Sequence, residues 1–417
     1  MFLFQSLEVG YLLGFCFYVS QSAEEIQFII HHWIRKLKIK LGWIYDFDKL
    51  VVNYVMFYLF LFYLIQQANT FFMFDTFRLS SKLVNKFIGH NDIVYSIDFL
   101  GFGDNQFICS GSYDQTIRVW NVETCKQIKS FNQHLGWAYC VKFSPYHYYN
   151  HRKNVICSSS SNNTINFWDF KNNKQLDIFS EHIGWVSGIK FSSFNCGKYL
   201  CSGSADKTIC LWDVETSKLL HVFHGHKETV WCIDISPLQS NKNFNFGAIG
   251  GNGYTICSGS FDKTIRLWDI ETTKQLTRFK GHDGYVRSVK YGSNGLINTV
   301  LSGSEDKSIR LWDIRYNKQI QAFNRHTDQV WAVQYSPFII NSFEVSNNSN
   351  VICSGSRDGK IRFWDIRSNK NELYVIKENN GILCLKFLQL KKNRNNNSEY
   401  GVNLCYGTKK GSIHIWG

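Results

Sequence analysis

A thirteen-residue motif that recurs along the chain is the feature that most constrains its fold. Residues 201–213 read CSGSADKTICLWD, and residues 257–269 read CSGSFDKTIRLWD. The remaining copies, the last of them weaker, end at Trp120, Trp168, Trp312, Trp364 and Trp416. The seven tryptophans are 48, 44, 56, 44, 52 and 52 residues apart. Such periods are typical of structural units that bury their surfaces only against neighbouring copies.

Each unit has the same internal order of segments. A histidine precedes a β-rich run such as VWCIDIS at 230–236, which is followed by a loop of variable length and a segment such as ICSGS. A polar turn, a segment such as TIRLWD and a short run such as KQLTRF at 274–279 complete the unit. This order predicts four short antiparallel strands joined by turns. The two faces of such a sheet are both covered when seven sheets close into a ring, which leaves only short edges.

These motifs resemble the WD-repeat family over residues 82–417. The resemblance implies an all-β fold, a seven-bladed β-propeller that acts as a non-enzymatic scaffold for binding other proteins. The segment KLVNKF at 82–87 is similar to KLLHVF at 218–223, which is the fourth strand of a unit, whereas the last unit has only three. We therefore expect 82–87 to complete the last blade and to close the ring.

His, Ser, Asp and Trp recur together in five units, as His226, Ser258, Asp262 and Trp268 do in one of them. A Ser-His-Asp catalytic triad is one interpretation. An active site is normally single, however, so we interpret the recurring set as a network of buried polar groups. The resemblance implies that this tetrad holds the turn, through the pairs His90–Asp114, His182–Asp206, His226–Asp262, His282–Asp306 and His326–Asp358. The sequence predicts no catalytic residue, no metal ligand and no cofactor.

Two units depart from the tetrad pattern. Asn162 replaces the aspartate in the second unit. In the seventh unit Glu378 lies near the histidine position, and Lys410 takes the aspartate position. We expect the seventh blade, which is also the seam between the two ends of the propeller, to be the least stable.

The loops of variable length follow the first strand of a unit, so they lie on one rim and leave short turns on the other. The resemblance implies that partners bind on this second rim, around the start of each first strand and before each turn aspartate. These positions are rich in Trp, Tyr and Arg, which are enriched at interface hot spots. Packing between blades is the alternative role for each aromatic residue. The predicted partner-binding set is Tyr95, Tyr113, Trp137, Tyr139, Trp185, Trp231, Phe261, Tyr285, Arg287, Trp331 and Arg357.

Two consecutive units carry the sequence Trp-Asp-x-Arg, which ends at Arg315 and at Arg367. It is similar to the motif with which propeller receptors dock onto the adaptor of cullin-RING ubiquitin ligases. There the arginine offers a bidentate charged contact. A basic residue at this position also arises by chance in a basic propeller. Substrate receptor of such a ligase is therefore an alternative function.

The charge of the chain favours acidic partners without choosing among them. There are 46 Lys and Arg against 33 Asp and Glu, and the whole excess lies in 82–417. Acidic protein or peptide ligands fit this balance. Assembly of RNA–protein complexes is a further alternative, because basic and aromatic residues stack on single strands. Nucleic acid is not favoured, since no nucleic-acid-binding motif is present.

Cysteine usage predicts a reducing compartment, and we expect the propeller in the cytoplasm or the nucleus. The chain has 13 cysteines, an odd number. Equivalent positions in separate units should lie too far apart for a disulfide, so we interpret the repeated cysteines as small buried apolar residues. Six occupy one repeated position: Cys109, Cys157, Cys201, Cys257, Cys353 and Cys405.

The first 81 residues form a separate region. We divide it into an apolar segment, 1–21, and a second part, 22–81, which holds an amphipathic helix predicted over 26–41 and an apolar run over 50–65. As a helix that run reaches about 24 Å, which is short of the roughly 30 Å hydrocarbon core. Membrane association through 50–65 and a buried or interfacial helix both stay open. A spanning helix with cytosolic basic flanks would export the propeller, in conflict with the cysteine-based prediction.

Overall fold

The computed structural model describes residues 72–101, 106–132, 134, 136–236, 254–292, 296–339, 350–367, 372–390 and 401–417. Within these ranges the residues of Phe72–Gly417 form one compact unit that contains seven four-stranded antiparallel sheets. The prediction of a seven-bladed β-propeller is thereby confirmed. The predictions for 1–21, 26–41 and 50–65 lie outside the described residues. No helix within the described ranges is long and apolar enough to cross a bilayer.

Blades 1 to 4 each take four consecutive strands of the chain, from the centre of the ring outwards. The strands of blades 1 and 2 are β3 (Val94–Leu100), β4 (Phe107–Ser112), β5 (Ile117–Asn121), β6 (Gln127–Phe131), β7 (Ala138–Phe143), β8 (Val155–Ser160), β9 (Ile165–Asp169) and β10 (Lys174–Phe179). The strands of blades 3 and 4 are β11 (Val186–Phe191), β12 (Tyr199–Ser204), β13 (Ile209–Asp213), β14 (Lys218–Phe223), β15 (Val230–Ile235), β16 (Thr255–Ser260), β17 (Ile265–Asp269) and β18 (Gln275–Phe279).

Blades 5 and 6 repeat this arrangement, except that a short strand outside the blades, β24 (Phe338–Ile339), comes between the first two strands of blade 6. Blade 7 combines strands from both ends of the compact unit. The strands of blades 5 and 6 are β19 (Val286–Tyr291), β20 (Thr299–Ser304), β21 (Ile309–Asp313), β22 (Lys318–Phe323), β23 (Val330–Tyr335), β25 (Val351–Ser356), β26 (Lys360–Asp365) and β27 (Glu372–Lys377). Blade 7 contains β28 (Ile382–Leu390), β29 (Gly401–Thr408), β30 (Ile413–Trp416) and β2 (Leu83–Phe87).

The ring closes through the antiparallel pair β2–β30. Phe87 lies opposite Ile413, and Leu83 lies opposite Trp416. Next to this pair, the backbone N–H of Lys82 donates to the carbonyl of Gly417 at 3.1 Å, and the reverse hydrogen bond measures 3.0 Å. The fourth strand of blade 7 therefore comes from the segment that precedes blade 1.

Burial explains why each unit folds as a blade. In blade 4 every residue of β16 and β17 is buried. In β18 only the last residue is buried, and the others are exposed or partly exposed. That last residue, Phe279, enters the core between blades and packs against Trp312 of blade 5, with ring centroids 5.3 Å apart. Strands buried on both faces favour the Ile, Leu, Cys and Trp residues of the repeated motif.

The glycine of the Ser-Gly-Ser motif is required by the close approach of neighbouring blades. A Cβ atom added to Gly259 would lie 2.6 Å from Cγ1 of Val286 in blade 5. A side chain at Gly259 would therefore push blades 4 and 5 apart, whereas blade 2 has Ser159 at the equivalent position.

Other small elements lie outside the blades. The helix α1 (Phe74–Ser80) follows β1 (Phe72–Met73), which pairs in parallel with β24 (Phe338–Ile339). Phe77 of α1 packs on Phe338 with ring centroids 4.5 Å apart, so the compact unit begins before residue 82. The helix α2 (Pro145–His151) and a 3₁₀ turn (Asn195–Gly197) lie in the loops after β7 and β11.

The described cysteines are free thiols. The six at the repeated position have no exposed surface, as we expected for small apolar residues of the core.

Candidate functional site: the aromatic face

In five blades a buried tetrad fixes the turn between the second and third strands. We name the rim that carries these turns in all seven blades the upper rim. In blade 4 the Nδ1 atom of His226 lies 2.8 Å from Oδ2 of Asp262, and its Nε2 atom lies 2.7 Å from Oγ of Ser258. The indole N–H of Trp268 donates to the same serine oxygen at 2.8 Å. The pairs His90–Asp114, His182–Asp206, His282–Asp306 and His326–Asp358 have the same geometry, at 2.7 to 2.9 Å.

The aspartate of each tetrad also holds the backbone of the turn. Oδ1 of Asp262 accepts hydrogen bonds from the backbone N–H and the hydroxyl of Thr264, at 3.0 and 2.6 Å. Its Oδ2 accepts the backbone N–H of Lys227 at 3.0 Å. Between them Lys263 adopts a left-handed conformation with φ of 65°, which a side chain tolerates when the surrounding hydrogen bonds fix the turn.

The tetrad resembles a catalytic triad in its hydrogen bonds but differs in access. Ser258 has no exposed surface, and its oxygen already accepts from Trp268, so a substrate carbonyl cannot reach it. Burial lowers the pKa of His226, although the hydrogen bond to Asp262 opposes this effect, and the imidazole is neutral at neutral pH. A neutral imidazole that donates through Nδ1 accepts the serine hydroxyl at Nε2, which satisfies every member of the network.

Blade 2 shows what the missing aspartate changes. Asn162 keeps the turn, because its Oδ1 accepts the hydroxyl of Thr164 at 2.7 Å. The Nδ1 atom of His134 instead lies 3.3 Å from the side-chain amide nitrogen of Asn166, and no carboxylate among the described residues pairs with the ring. Burial lowers the pKa of His134 to about 4.

Blade 7 replaces the tetrad with a different network. The hydroxyl of Tyr406 donates to the carboxylate of Glu378, and Nδ1 of His414 lies 3.1 Å from the same carboxylate. Tyr406 occupies the serine position of the other blades, since it lies opposite the second residue of the third strand. The sequence indicated only Glu378 as a member of this network. Tyr406 and His414 could have been found by aligning the strands of blade 7 with those of the other blades.

A β-bulge in every first strand directs one side chain to the upper mouth of the central channel. In all seven blades the pairing register shifts between the first and third residues of that strand. A bulge re-aims the residue at which it occurs. The residues at the second position are Tyr95, Tyr139, Ser187, Trp231, Arg287, Trp331 and Leu383.

The predicted partner-binding residues form one connected cluster, which we name the aromatic face. Tyr95 of blade 1 reaches Trp231 of blade 4 and Trp331 of blade 6, with ring centroids 6.3 and 6.1 Å apart, so its contacts cross the axis. Further contacts of 4.3 to 6.4 Å connect Tyr113, Trp137, Tyr139, Trp185, Phe261 and Tyr285 to these rings. Offset and edge-to-face contacts at such distances are favourable.

Arg287 lies inside the aromatic face as a cation held by rings. Its guanidinium lies 4.3 Å from the ring centroid of Trp331 and 4.5 Å from those of Trp231 and Phe261. Its Nε donates to Glu305 at 2.8 Å, so the charge is also paired. Cation–π contacts strengthen when the cation is desolvated, as it is here. Arg357 extends the cluster, since its guanidinium lies 5.8 Å from the ring centroid of Trp331.

The aromatic residues both pack between blades and form a surface. Tyr139 is buried, Tyr285 is 40% exposed, and the other members are half-buried. The sequence presented packing and binding as alternatives, whereas in the structure each ring is held by neighbours and most keep an accessible edge. Glu305 was not in the predicted set, although its place before the turn aspartate of blade 5 could have indicated it.

The other predicted arginines lie away from this face. Arg315 and Arg367 lie in turns after the third strands of blades 5 and 6, on the lower rim, and Arg315 is 57% exposed. The third-strand arginines are held inside their own blades, as Arg266 is by Gln275 at 2.6 Å and Arg310 is by Gln319 at 2.8 Å. A nucleic-acid surface would require such groups to be free.

Comparison with known proteins agrees with this architecture. The model of the WD domain, G-beta repeat, matches residues 81–121, 125–169, 173–213, 217–269, 273–313 and 317–365. The chain belongs to the WD40 family. Each matched segment begins with the fourth strand of one blade and ends with the third strand of the next, so β27 to β30 of this WD40 propeller lie outside the matches.

One curated relative of this WD40 chain is "Autophagy-related protein 16" from Arabidopsis thaliana. It is 27% identical over 177 residues, which make up 42% of this chain. The match spans 31% of the relative's own length.

A reciprocal exchange of Asp and Asn tests the tetrad. We expect Asp262→Asn to lower the free energy of unfolding by about 1–3 kcal/mol, because buried donors lose a charged acceptor. Asn162→Asp supplies the carboxylate that His134 lacks and should raise it by about 1 kcal/mol. Urea unfolding of both variants measures these changes. Equal losses in the two variants would contradict the assigned role.

The lowered pKa of His134 predicts that stability falls in mild acid. Between its folded value of about 4 and the ordinary value of 6.5, the unfolded chain binds the additional proton, so stability falls as pH falls. At about pH 5 this histidine alone should cost about 2 kcal/mol relative to pH 7. Urea unfolding at both pH values gives the difference. In Asn162→Asp the new carboxylate should raise the pKa of His134 and reduce the difference, and an unchanged difference would show that His134 is not its source.

Proposed function

We propose that this WD40 propeller is a protein-interaction scaffold that binds a peptide or protein segment on the aromatic face. The observation that carries the proposal is the connected cluster of Trp, Tyr and Phe rings around Arg287 at the mouth of the channel. Rings of this kind, fixed before binding, offer contact area at a low cost in conformational entropy.

The geometry favours contact through ring edges and faces. The cation–π position inside the cluster is already filled by Arg287, whose charge Glu305 neutralises. A partner would therefore meet half-buried aromatic rings, with Tyr285 as the most exposed of the set. Apolar and aromatic side chains of a peptide suit such a surface, and its backbone can hydrogen-bond at the polar edge.

We further propose that the partner segment is acidic. Beside the rings, Arg357 of blade 6 is followed around the upper rim by Lys409 and Lys410 of blade 7, which are exposed. The tetrad aspartate of blade 7 is absent, since Lys410 takes its place. This arc of three cations next to Trp331 is suited to a segment that carries carboxylates close to an aromatic or apolar anchor.

A ubiquitin-ligase receptor is the second candidate, and the exposure of the Trp-Asp-x-Arg turns favours it. Arg315 is 57% exposed, and Tyr316 on the same turn is also exposed. Because Arg315 and Arg367 lie on the lower rim, an adaptor could bind there while the aromatic face holds a substrate. The assembly of RNA–protein complexes has no comparable support, since the third-strand arginines contact their own blades.

Paired variants on the two rims test these functions in one experiment. We expect Tyr285→Ala with Arg357→Ala to reduce partner capture from cell extract by about tenfold or more, because both residues lie at the accessible edge of the cluster. Quantitative pull-down with the full chain measures the change. The matched control is Arg315→Ala with Arg367→Ala, which should leave these partners bound.

Two outcomes would revise the proposal. Partners that remain bound to the upper-rim variant would contradict a binding role for the aromatic face. A cullin adaptor that is captured by the wild type and lost only in the lower-rim variant would support the receptor function. Urea unfolding of both variants shows whether the fold is unchanged.

A further inference from the structure

A ring of charged side chains lines the central channel beneath the aromatic face. The fifth residue of each first strand lies on the inner face of its blade and meets residues of other blades. Lys386 of blade 7 lies 2.9 Å from Asp98 of blade 1, and Lys142 of blade 2 lies 3.8 Å from the same carboxylate. We name this set the channel ring, and its members are Asp98, Lys142, Lys190, Asp234, Lys290, Gln334 and Lys386.

The channel ring carries more positive than negative charge. Its four lysines face two aspartates, so its net charge is +2. Asp98 is shared by Lys386 and Lys142, and Asp234 pairs with Lys190 at 2.9 Å. The amide of Gln334 donates to the carbonyl of Leu385 at 3.1 Å. The carboxylates of the ring are thus already engaged, whereas each ammonium keeps donors to spare.

Lys290 is the member of the ring that has no close hydrogen-bonded or ion-paired partner in the described part of the chain, although the carboxylate of Asp234 attracts its ammonium group. Within the described residues its ammonium group makes neither a hydrogen bond nor an ion pair, and it lies between the Asp234 and Gln334 positions around the ring. Burial lowers its pKa to about 8; the carboxylate of Asp234 opposes this shift, and the ammonium groups of Lys190, Lys142 and Lys386 add to it. The Cys232 thiol also faces it. An anion in the ring would relieve this repulsion.

Solvent reaches three lysines of the channel ring. The side chains of Lys142, Lys190 and Lys386 are 21%, 33% and 39% exposed although they line the interior. At the upper mouth, by contrast, Tyr95 crosses the axis to Trp231 and Trp331 and covers the channel. Two residues before each ring position the first strands carry only small side chains: Ser96, Cys140, Gly188, Cys232, Ser288, Ala332 and Cys384. These small side chains fit where neighbouring first strands approach closely, since a Cβ atom added to Gly188 would lie 2.9 Å from the carbonyl oxygen of Trp231.

We propose that the channel ring binds a tetrahedral dianion, either inorganic phosphate or the phosphoryl group of a small phosphate monoester, which reaches Lys290 from the lower rim. The net charge of the ring matches a dianion. Lysine binds phosphate as a point charge with three donors, and the low dielectric of an enclosed site strengthens such contacts. The site is separate from the aromatic face, so it does not depend on the proposed scaffold function.

Isothermal titration calorimetry of the full chain with inorganic phosphate and with sulfate tests the site. We expect Lys290→Met to weaken binding of both anions by about tenfold or more, because a charged donor is lost. The matched control is Lys207→Met, since Lys207 lies on the upper rim and pairs with Glu228 at 3.6 Å. Equal effects in the two variants, or no binding by the wild type at about 10 mM anion, would overturn the proposal.

A variant that is expected to strengthen anion binding separates the electrostatic effect from a loss of folded protein. Asp234→Asn removes one carboxylate from the ring, so anions should bind several times more tightly than in the wild type. Urea unfolding confirms that each variant is folded. Weaker binding in folded Asp234→Asn would contradict an electrostatic anion site.

Sulfate and a monoester distinguish the details of the ligand. Sulfate stays doubly charged across the pH range, so its affinity should fall as pH rises through about 8, where Lys290 loses its proton, and this fall should vanish in Lys290→Met. A fall that persists in Lys290→Met would contradict the assignment of Lys290. Glycerol 1-phosphate that binds as well as phosphate indicates a monoester ligand, and its exclusion indicates the free ion.

Discussion

Each four-stranded sheet of this chain has two apolar faces, and only a neighbouring sheet on either side covers both. Ring closure is therefore the constraint on which the rest of the structure depends. The inter-blade clusters illustrate it, because Phe279 of blade 4 packs against Trp312 of blade 5, and Phe87 packs against Trp120 of blade 1. The outer part of the face that blade 1 turns towards blade 7 is covered because β2 pairs with β30 and completes blade 7.

Closure also determines where function can reside. The repeated motif fixes the second and third strands, and the tetrads fix the turns of the upper rim, so these residues vary little from blade to blade. The bulge in each first strand then directs one side chain, whose type differs between blades, to the upper mouth. The fifth residue of the same strand faces the channel. At the bulged position five of the seven blades carry Tyr, Trp or Arg, and at the channel position six of the seven carry Lys or Asp. Two chemically different surfaces are thus built on one framework.

The sequence predicted those features that repeat. Seven copies of the Trp-containing motif indicated seven blades, and the spacing of His, Ser, Asp and Trp indicated the five tetrads. The sequence did not predict the contacts between side chains of different blades, because these depend on which blades face each other across the axis. Arg287 and Glu305 pair beside rings from blades 4 and 6, and Lys386 pairs with Asp98 across the seam. Of the network of Tyr406, Glu378 and His414 the sequence indicated only Glu378, because the network uses residue types that occur once in this pattern.

The most direct measurement of ring closure is the urea unfolding of Phe87→Ala beside Phe223→Ala. Both phenylalanines end a fourth strand and are buried, Phe87 at the seam and Phe223 inside a continuous stretch of chain. If β2 completes blade 7, each variant loses the same buried contacts, and each should lose about 3–5 kcal/mol of unfolding free energy. A Phe87→Ala chain within about 0.5 kcal/mol of the wild type, beside a strongly destabilised Phe223→Ala chain, would contradict closure by this strand.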